Sequence, residues 1–373
     1  MTLQSTIHEL ATFKADPVVF GSRGLPSGVT VKHDEFWDSY DNDTLFYDAI
    51  QDDAHGWIKL FLPTSVDFAK HLKRARWIVD GKLVQPRRHK RFRVYEIICL
   101  PNGADLKLSI DERTFHLALS QADHGRYAGR RVLYTQVRND NLDWVRDWVV
   151  AHQRNHGVDA VLVTNNDSTA YDSSTLRKTL ASIAGLAIAD VLDLPLRYGP
   201  HPKTATKVGL TKFQQRLMLN LVRDRWFWKA AGVLICDVDE LVTSRNGQSI
   251  FETTAQSWTK YTRFPGQWRY HQVIDGTQTH ADHVFRNDRD ERCVSKFCIV
   301  PDSLLGRTSW SVHALEYVNR RLFPASRQFM HYHCRGITTS WKNARDMPDS
   351  AILVEDEATA QFMRKTFPDL RPD

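Results

Sequence analysis

The sequence predicts an α/β fold: a Rossmann-like mixed sheet with helices on both faces, preceded by a β-rich N-terminal domain. Three observations predict it. Short alternating runs fill the chain before residue 130. Strand-like and helix-like segments then take turns. One of the later strands, in "VLICDVDELV" (residues 233–242), ends on two aspartates, Asp237 and Asp239. The predicted division is a β-rich accessory domain over 1–130 and an α/β domain over 131–373.

In the first part, "WIKLFLP", "RWIVDGKLV", "RFRVYEIICL", "DLKLSI" and "TFHLALS" are separated by turn signals such as Asp80-Gly81 and Pro101-Asn102-Gly103. Such spacing indicates an antiparallel sandwich or barrel. In the second part, "RVLYTQV" reads as a strand. "NLDWVRDWVVAHQRNHG" follows, with Leu142, Val145, Trp148, Val149 and His152 on one helical face and Gly157 as its C-cap. "DAVLVT" is the next strand, "TLRKTLASIAG" a helix and "AIADVLDL" a third strand. "LTKFQQRLMLNLVRDRWFW" reads as a long amphipathic helix on Leu210, Phe213, Leu217 and Leu221 that feeds the strand at 233–236. This alternation predicts a mostly parallel sheet. The polar exits Arg138-Asn139-Asp140, Asn165-Asn166-Asp167 and Asp237-Val238-Asp239 should then meet beyond the carboxyl ends of the strands, where open α/β sheets bind ligands.

Two carboxylates leaving a buried strand repel each other and lose solvation. A hard divalent cation relieves both problems and takes oxygen ligands. A helix cap with a salt bridge is the simpler alternative. Glu240 is expected to support the pair. In "FMHYHCRG", an extended backbone places His331, His333 and Arg335 on one face and Tyr332 and Cys334 on the other. Two imidazoles and a guanidinium suit a metal or phosphate. Lys296 is a candidate cation for a diphosphate, and His313 is a weaker candidate.

The five cysteines, Cys99, Cys236, Cys293, Cys298 and Cys334, form no disulfide framework. A zinc site joining Cys293 and Cys298 is disfavoured, because they face opposite ways on one strand. Fifty basic against forty-four acidic residues give a net charge of +6. This excess suits an anionic ligand or surface without selecting one, and nucleic acid is not among the expected partners. The densest basic run, Arg87–Arg93, reads either as a charged hairpin edge or as a contact with anionic lipid headgroups. No secretory signal or spanning segment is apparent, so a cytoplasmic placement is expected, at the inner membrane face if that basic run contacts lipid.

Three motifs carry a family resemblance. "VRNDNLDWVRDWVVAHQRNHGVDAVLVTNNDS", "VLICDVDELV" and "FMHYHCRGITTSWK" occur in the order seen in family-92-type glycosyltransferases and their bacterial family-2-like relatives, which this chain resembles over about 131–345. Asp140 stands where glutamate is usual, Leu241 where phenylalanine is usual, and Arg335-Gly336 where Lys/Arg-Ser is common. The resemblance implies a GT-A fold and metal-dependent, inverting transfer of a hexose from a nucleotide diphosphate sugar, a UDP-sugar, to a glycan or lipid-linked glycan. The implied setting is bacterial surface polysaccharide synthesis. By motif position, Asp237, Asp239 and His331 would handle Mn²⁺ or Mg²⁺. Arg138, Asp140, Asn165 and Asp167 would line the nucleotide pocket, with Lys296 and Arg335 facing the diphosphate. Base candidates are Asp288, Asp290, Glu291 and Glu316. The rival classes are a non-catalytic glycan-binding or assembly protein and a haloacid-dehalogenase-type phosphatase, whose DxD lies on the first core strand. The tail, "EDEATAQFMRKTFPDL", reads as a short helix with acids early and bases late.

Overall fold

A computed structural model describes residues 2–91, 94–273, 276–337, 339 and 352–369. The chain forms two compact units. One comprises Met1–His8, Tyr127–Asp193 and Lys229–Asp373, and the other Glu9–Arg126 and Leu194–Trp228.

The first unit holds a nine-stranded mixed sheet. Its strands, in chain order, are β1 (Ile7–His8), β2 (Arg131–Val137), β3 (Ala160–Asn165), β4 (Ile188–Asp193), β5 (Gly232–Ile235), β6 (Glu240–Ser244), β7 (Tyr261–Arg269), β8 (Arg292–Ile299) and β9 (Phe329–Cys334). The sheet order is β1-β4-β3-β2-β5-β8-β7-β9-β6. The first five are parallel. Beyond β5, strand β8 is antiparallel, β7 and β9 run with β5, and β6 runs against β9. β3 and β5 are buried throughout and β2 is buried beyond Arg131, so they read as continuous apolar runs rather than alternating ones.

The helices are α1 (Leu142–His156), α2 (Ser173–Ala181), α3 (Ile250–Gln256) and α4 (Glu357–Thr366). Asn141 caps α1 by accepting from the Asp143 amide, and Gly157 ends it in the left-handed conformation, at φ 70°. Val145, Trp148 and Val149 pack in the core that includes Val161, Leu176 and Leu241. The tail helix α4 joins this core through Ala360 and Met363.

Two histidines on α1 bind a single residue of β6. His152 donates from Nδ1 to the Trp148 carbonyl at 2.8 Å and accepts the Val242 amide on Nε2 at 3.2 Å. One turn later, His156 donates from Nε2 to the Val242 carbonyl at 3.0 Å and accepts the Ile250 amide on Nδ1. Both rings must be neutral to accept. Burial lowers their pKa values, to about 3 for His152 and about 4 for His156.

The second unit contains a five-stranded and a four-stranded sheet, beside a two-stranded pairing of Phe13–Lys14 with Thr44–Phe46. The five-stranded one is ordered Ser120–Gln121, Asp48–Asp52, Trp57–Pro63, Tyr95–Pro101 and Arg87–Arg91. The four-stranded one is ordered Arg113–Leu117, Leu106–Ile110, Arg76–Val79 and Lys82–Val84. Alternate residues, Ile58, Leu60 and Leu62 or Leu106, Leu108 and Ile110, enter one apolar core.

Two expectations need correction. The units do not divide at residue 130, because Leu194–Trp228 lies with the β-rich part and Met1–His8 with the α/β part. The predicted amphipathic crossover helix is Gln214–Arg225, and nearly all of it is buried. Its charged end is neutralised inside the β-rich unit, where Asp224 meets Lys59 at 3.2 Å and Arg225 meets Asp48 at 3.0 Å. Ion pairing therefore lets a helix that reads as half polar be buried on most sides. In the basic run, Arg88 bonds Glu96 at 2.7 Å and Arg87 lies over the Trp57 ring. Phe92 and Arg93 lie outside the described residues.

The α1 histidines give a pH prediction. Their folded pKa values lie below the ordinary 6.5, so the unfolded chain binds more protons under mildly acid conditions. Their contribution is complete above 6.5 and is lost as pH falls toward their folded values. Unfolding free energy should fall by about 2 kcal/mol per histidine between pH 7 and pH 5. Denaturant melts of the wild type and of His156→Asn, which should show a shallower slope, check this.

Candidate functional site

The sheet order brings many polar residues to one edge. β2, β3 and β5 end there, β6 and β8 begin there, and β7 and β9 also end there. Arg138, Asp167, Asp237, Asp239, Trp268, Cys293, His333 and Arg335 all belong to these ends.

The turn between β5 and β6 is held by its own residues and by two neighbours. The Glu240 amide donates to the Asp237 carbonyl at 3.1 Å, and the Asp237 amide donates to Glu240 Oε2 at 2.8 Å. His280 Nε2 donates to the Val238 carbonyl at 2.8 Å. The Cys334 amide donates to the Asp239 carbonyl at 2.7 Å. Few conformations are left to the turn, and its two aspartates take different directions.

Asp237 turns to Lys296, whose Nζ lies 2.6 Å from Asp237 Oδ2 and 3.1 Å from Glu240 Oε2. Lys296 is 1% exposed and Glu240 0%. Burial pushes the lysine pKa down, but the two carboxylates outweigh it and hold it above the ordinary value. Burial also raises Glu240 against the pull of Lys296. Lys296 was expected to face a diphosphate. Instead it is an internal counter-ion, and it is the cationic partner of Glu240.

Asp239 turns to His333, with Nε2 3.0 Å from Oδ2. The ring stacks on Trp268 at 4.0 Å between centroids, and the Arg335 guanidinium lies over the Trp268 ring at 5.0 Å. His331 was expected beside the aspartates. It lies one row deeper, 0% exposed, with Nε2 3.5 Å from Glu240 Oε1 and 3.4 Å from Cys293 Sγ. Burial lowers its pKa well below the ordinary value. The alternation puts Tyr332 and Cys334 in the apolar core, opposite His331 and His333.

Gly266 allows the deeper row to form. It pairs with Cys293 on one side and His331 on the other, and a β-carbon there would overlap both the thiol sulfur and the imidazole. Cys298 lies in the apolar core. The two cysteines are therefore separated as their spacing predicts, and the thiol beside the imidazoles is Cys293.

Among the described residues of this unit, two donor groups have ligand atoms mutually within 4.8 Å: Asp239, Glu240 and His333, and Cys293, His331 and His333. Asp237 belongs to neither. Among the described residues, Glu240 Oε1 and His331 Nδ1 have no hydrogen-bond partner. A cation is compatible with either group. Oxygen donors favour the first for a hard ion.

The remaining expected residues divide by role. Arg138 reaches toward Asp167 at 3.8 Å, and both remain substantially solvent-accessible. Asp140 is buried and accepts the Arg138 amide, while buried Asn165 donates to Ser173 Oγ at 3.0 Å. These two shape turns. Asp290 is engaged by Arg269 at 2.9 Å and by Gln267. Asp288 and Glu291 are exposed in the turn before β8, and Glu316 is buried. Trp341 and Lys342 of the last motif lie outside the described residues.

The sequence reading missed Arg269, His280 and the hold of His152 and His156 on Val242. Arg269 is buried and joins Asp290, Asp356 and Thr359. The spacing of His152 and His156, four apart on a helix, was the available signal.

No family model matches this chain, and comparison with curated proteins finds no significant match. The likeness to family-92-type glycosyltransferases rests on the three motifs alone.

Replacing Lys296 tests the internal pair. Lys296→Met leaves Glu240 buried without its cation and should cost about 3 kcal/mol of unfolding free energy. Lys296→Met/Glu240→Gln should recover part of that loss in the same denaturant melts.

Proposed function

We propose that this chain is a GT-A-type glycosyltransferase that moves a hexose from a UDP-sugar to a glycan hydroxyl. The observation that carries the reading is the divergence of Asp237 and Asp239 at the carboxyl ends of parallel strands, with Asp239 against His333. Arg138 and Asp167 leave neighbouring strands at the same edge.

Asp239, Glu240 and His333 would hold Mn²⁺ or Mg²⁺. Two carboxylates and an imidazole within 4.8 Å of one another suit such an ion, and Glu240 Oε1 has an unused acceptor position among the described residues. A cation there would neutralise charge on a departing diphosphate. His333 is the imidazole of this reading, in place of His331. Lys296 aims Asp237 and pairs with Glu240. Arg335, whose guanidinium lies over Trp268, would face the diphosphate, and Arg138 the nucleotide.

An inverting transfer requires a carboxylate that accepts the acceptor proton. Asp290 is committed to Arg269, which leaves Asp288, Glu291 and Glu316 as base candidates. Glu291 is the first to test, because its amide is anchored at 3.0 Å to Asn287 while its side chain is exposed.

The decisive measurement is thermal stability with UDP and Mn²⁺ together, beside UDP-sugar turnover. Wild type should be stabilised and Asp239→Asn should not, while remaining folded. A stabilisation that persists in Asp239→Asn, or in excess chelator, removes the metal role. Turnover of an aryl phosphate would favour a phosphatase. Glycan binding without nucleotide binding would favour a non-catalytic glycan-binding protein. Glu291→Gln should lower turnover by about 10²–10⁴-fold with binding retained, if it is the base.

A further inference from the structure

In the α/β unit, two turns carry exposed apolar side chains together with basic residues. Trp258, just before β7, is 86% exposed, and Leu322 is 71% exposed. The Phe323 ring lies 6.2 Å from Trp258 and links the two turns. Hydrogen bonds build the second turn firmly. The Leu322 and Phe323 amides donate to the Asn319 carbonyl at 3.0 and 3.3 Å, and the Arg321 amide donates to Asn319 Oδ1 at 2.9 Å. The Ser326 amide donates to the Arg263 carbonyl at 2.6 Å, fixing the segment to the start of β7.

Residues 257–263 and 317–328 carry Lys260, Arg263, Arg320, Arg321 and Arg327, and no acidic residue. Arg320, Arg321 and Arg327 are exposed. Keeping an indole and a leucine in water is unfavourable, and these two sit beside cations with long apolar stems. The combination matches a lipid interface. The aromatic and aliphatic groups enter the headgroup boundary while arginines pair with anionic headgroups. A second copy of the chain is a poorer occupant. Three apolar side chains fall far short of the roughly 20–30 residues a side of a stable protein interface.

We propose that this surface, formed by Trp258, Leu322 and Phe323 with Arg320, Arg321 and Arg327, docks the protein on an anionic phospholipid surface. The proposal is independent of glycosyl transfer. It also assigns the contact to residues other than the basic run at Arg87–Arg91, where Arg88 is already paired with Glu96.

The test is co-sedimentation of the full chain with phosphatidylcholine vesicles, with and without phosphatidylglycerol. Binding should require the anionic lipid and weaken with salt. Arg320→Glu/Arg321→Glu should weaken partitioning at least tenfold, since each lost charge is worth about fivefold. Trp258→Ser/Leu322→Ser should do the same, and Arg87→Glu/Lys90→Glu should bind as the wild type does. Circular dichroism melts confirm that each variant is folded. Failure of the wild type to bind anionic vesicles at low salt overturns the proposal. So does undiminished binding by both patch variants, or loss of binding only in Arg87→Glu/Lys90→Glu. A concentration-dependent dimer that the patch variants abolish, without vesicle binding, would assign the surface to self-association and also overturn it.

Discussion

The site depends on one buried cation. Lys296 lies between Asp237 and Glu240, with almost none of its surface in water. Without it, Glu240 would be a charge with no counter-ion in the sheet, and Asp237 would lose its direction. With it, Glu240 Oε2 can also receive the Asp237 amide and close the turn. The turn then sends Asp239 to His333. The arrangement of the carboxylate pair is thus set from beneath by a group that need not touch a ligand.

Several weaker constraints hold the same turn. α1 grips Val242 through two neutral imidazoles, His280 grips Val238, and β9 supplies the Cys334 amide. Each contact uses backbone groups whose positions vary little. Burial keeps the clamping rings neutral, so the turn is firm in neutral solution and loses support in acid. Preorganisation of this kind is what a cation site on a strand end requires, because carboxylates free to rotate would lose entropy on binding.

Much of the architecture was legible. The strand over Arg131–Val137, the helix ending at Gly157 and the alternation in "FMHYHCRG" follow from local rules of periodicity and capping. Glu240 was legible only as support. Its lysine partner is 56 residues away by number, and no local rule links them. The excursion of Leu194–Trp228 into the β-rich unit was also hidden, because its helix shows a plausible apolar stripe and its charges find partners only in three dimensions.

By itself, the sequence determined that an α/β sheet would carry two aspartates to the end of a strand, with His331 and His333 sharing a face elsewhere. Those are properties of short segments, whose side-chain directions follow the backbone period. Tertiary structure alone decided which histidine meets which acid. β9 pairs with β6 so that His333 stands opposite Glu240 and His331 opposite Val242. A shift of the register would exchange these partners, and register is set by packing across the whole sheet rather than by either strand.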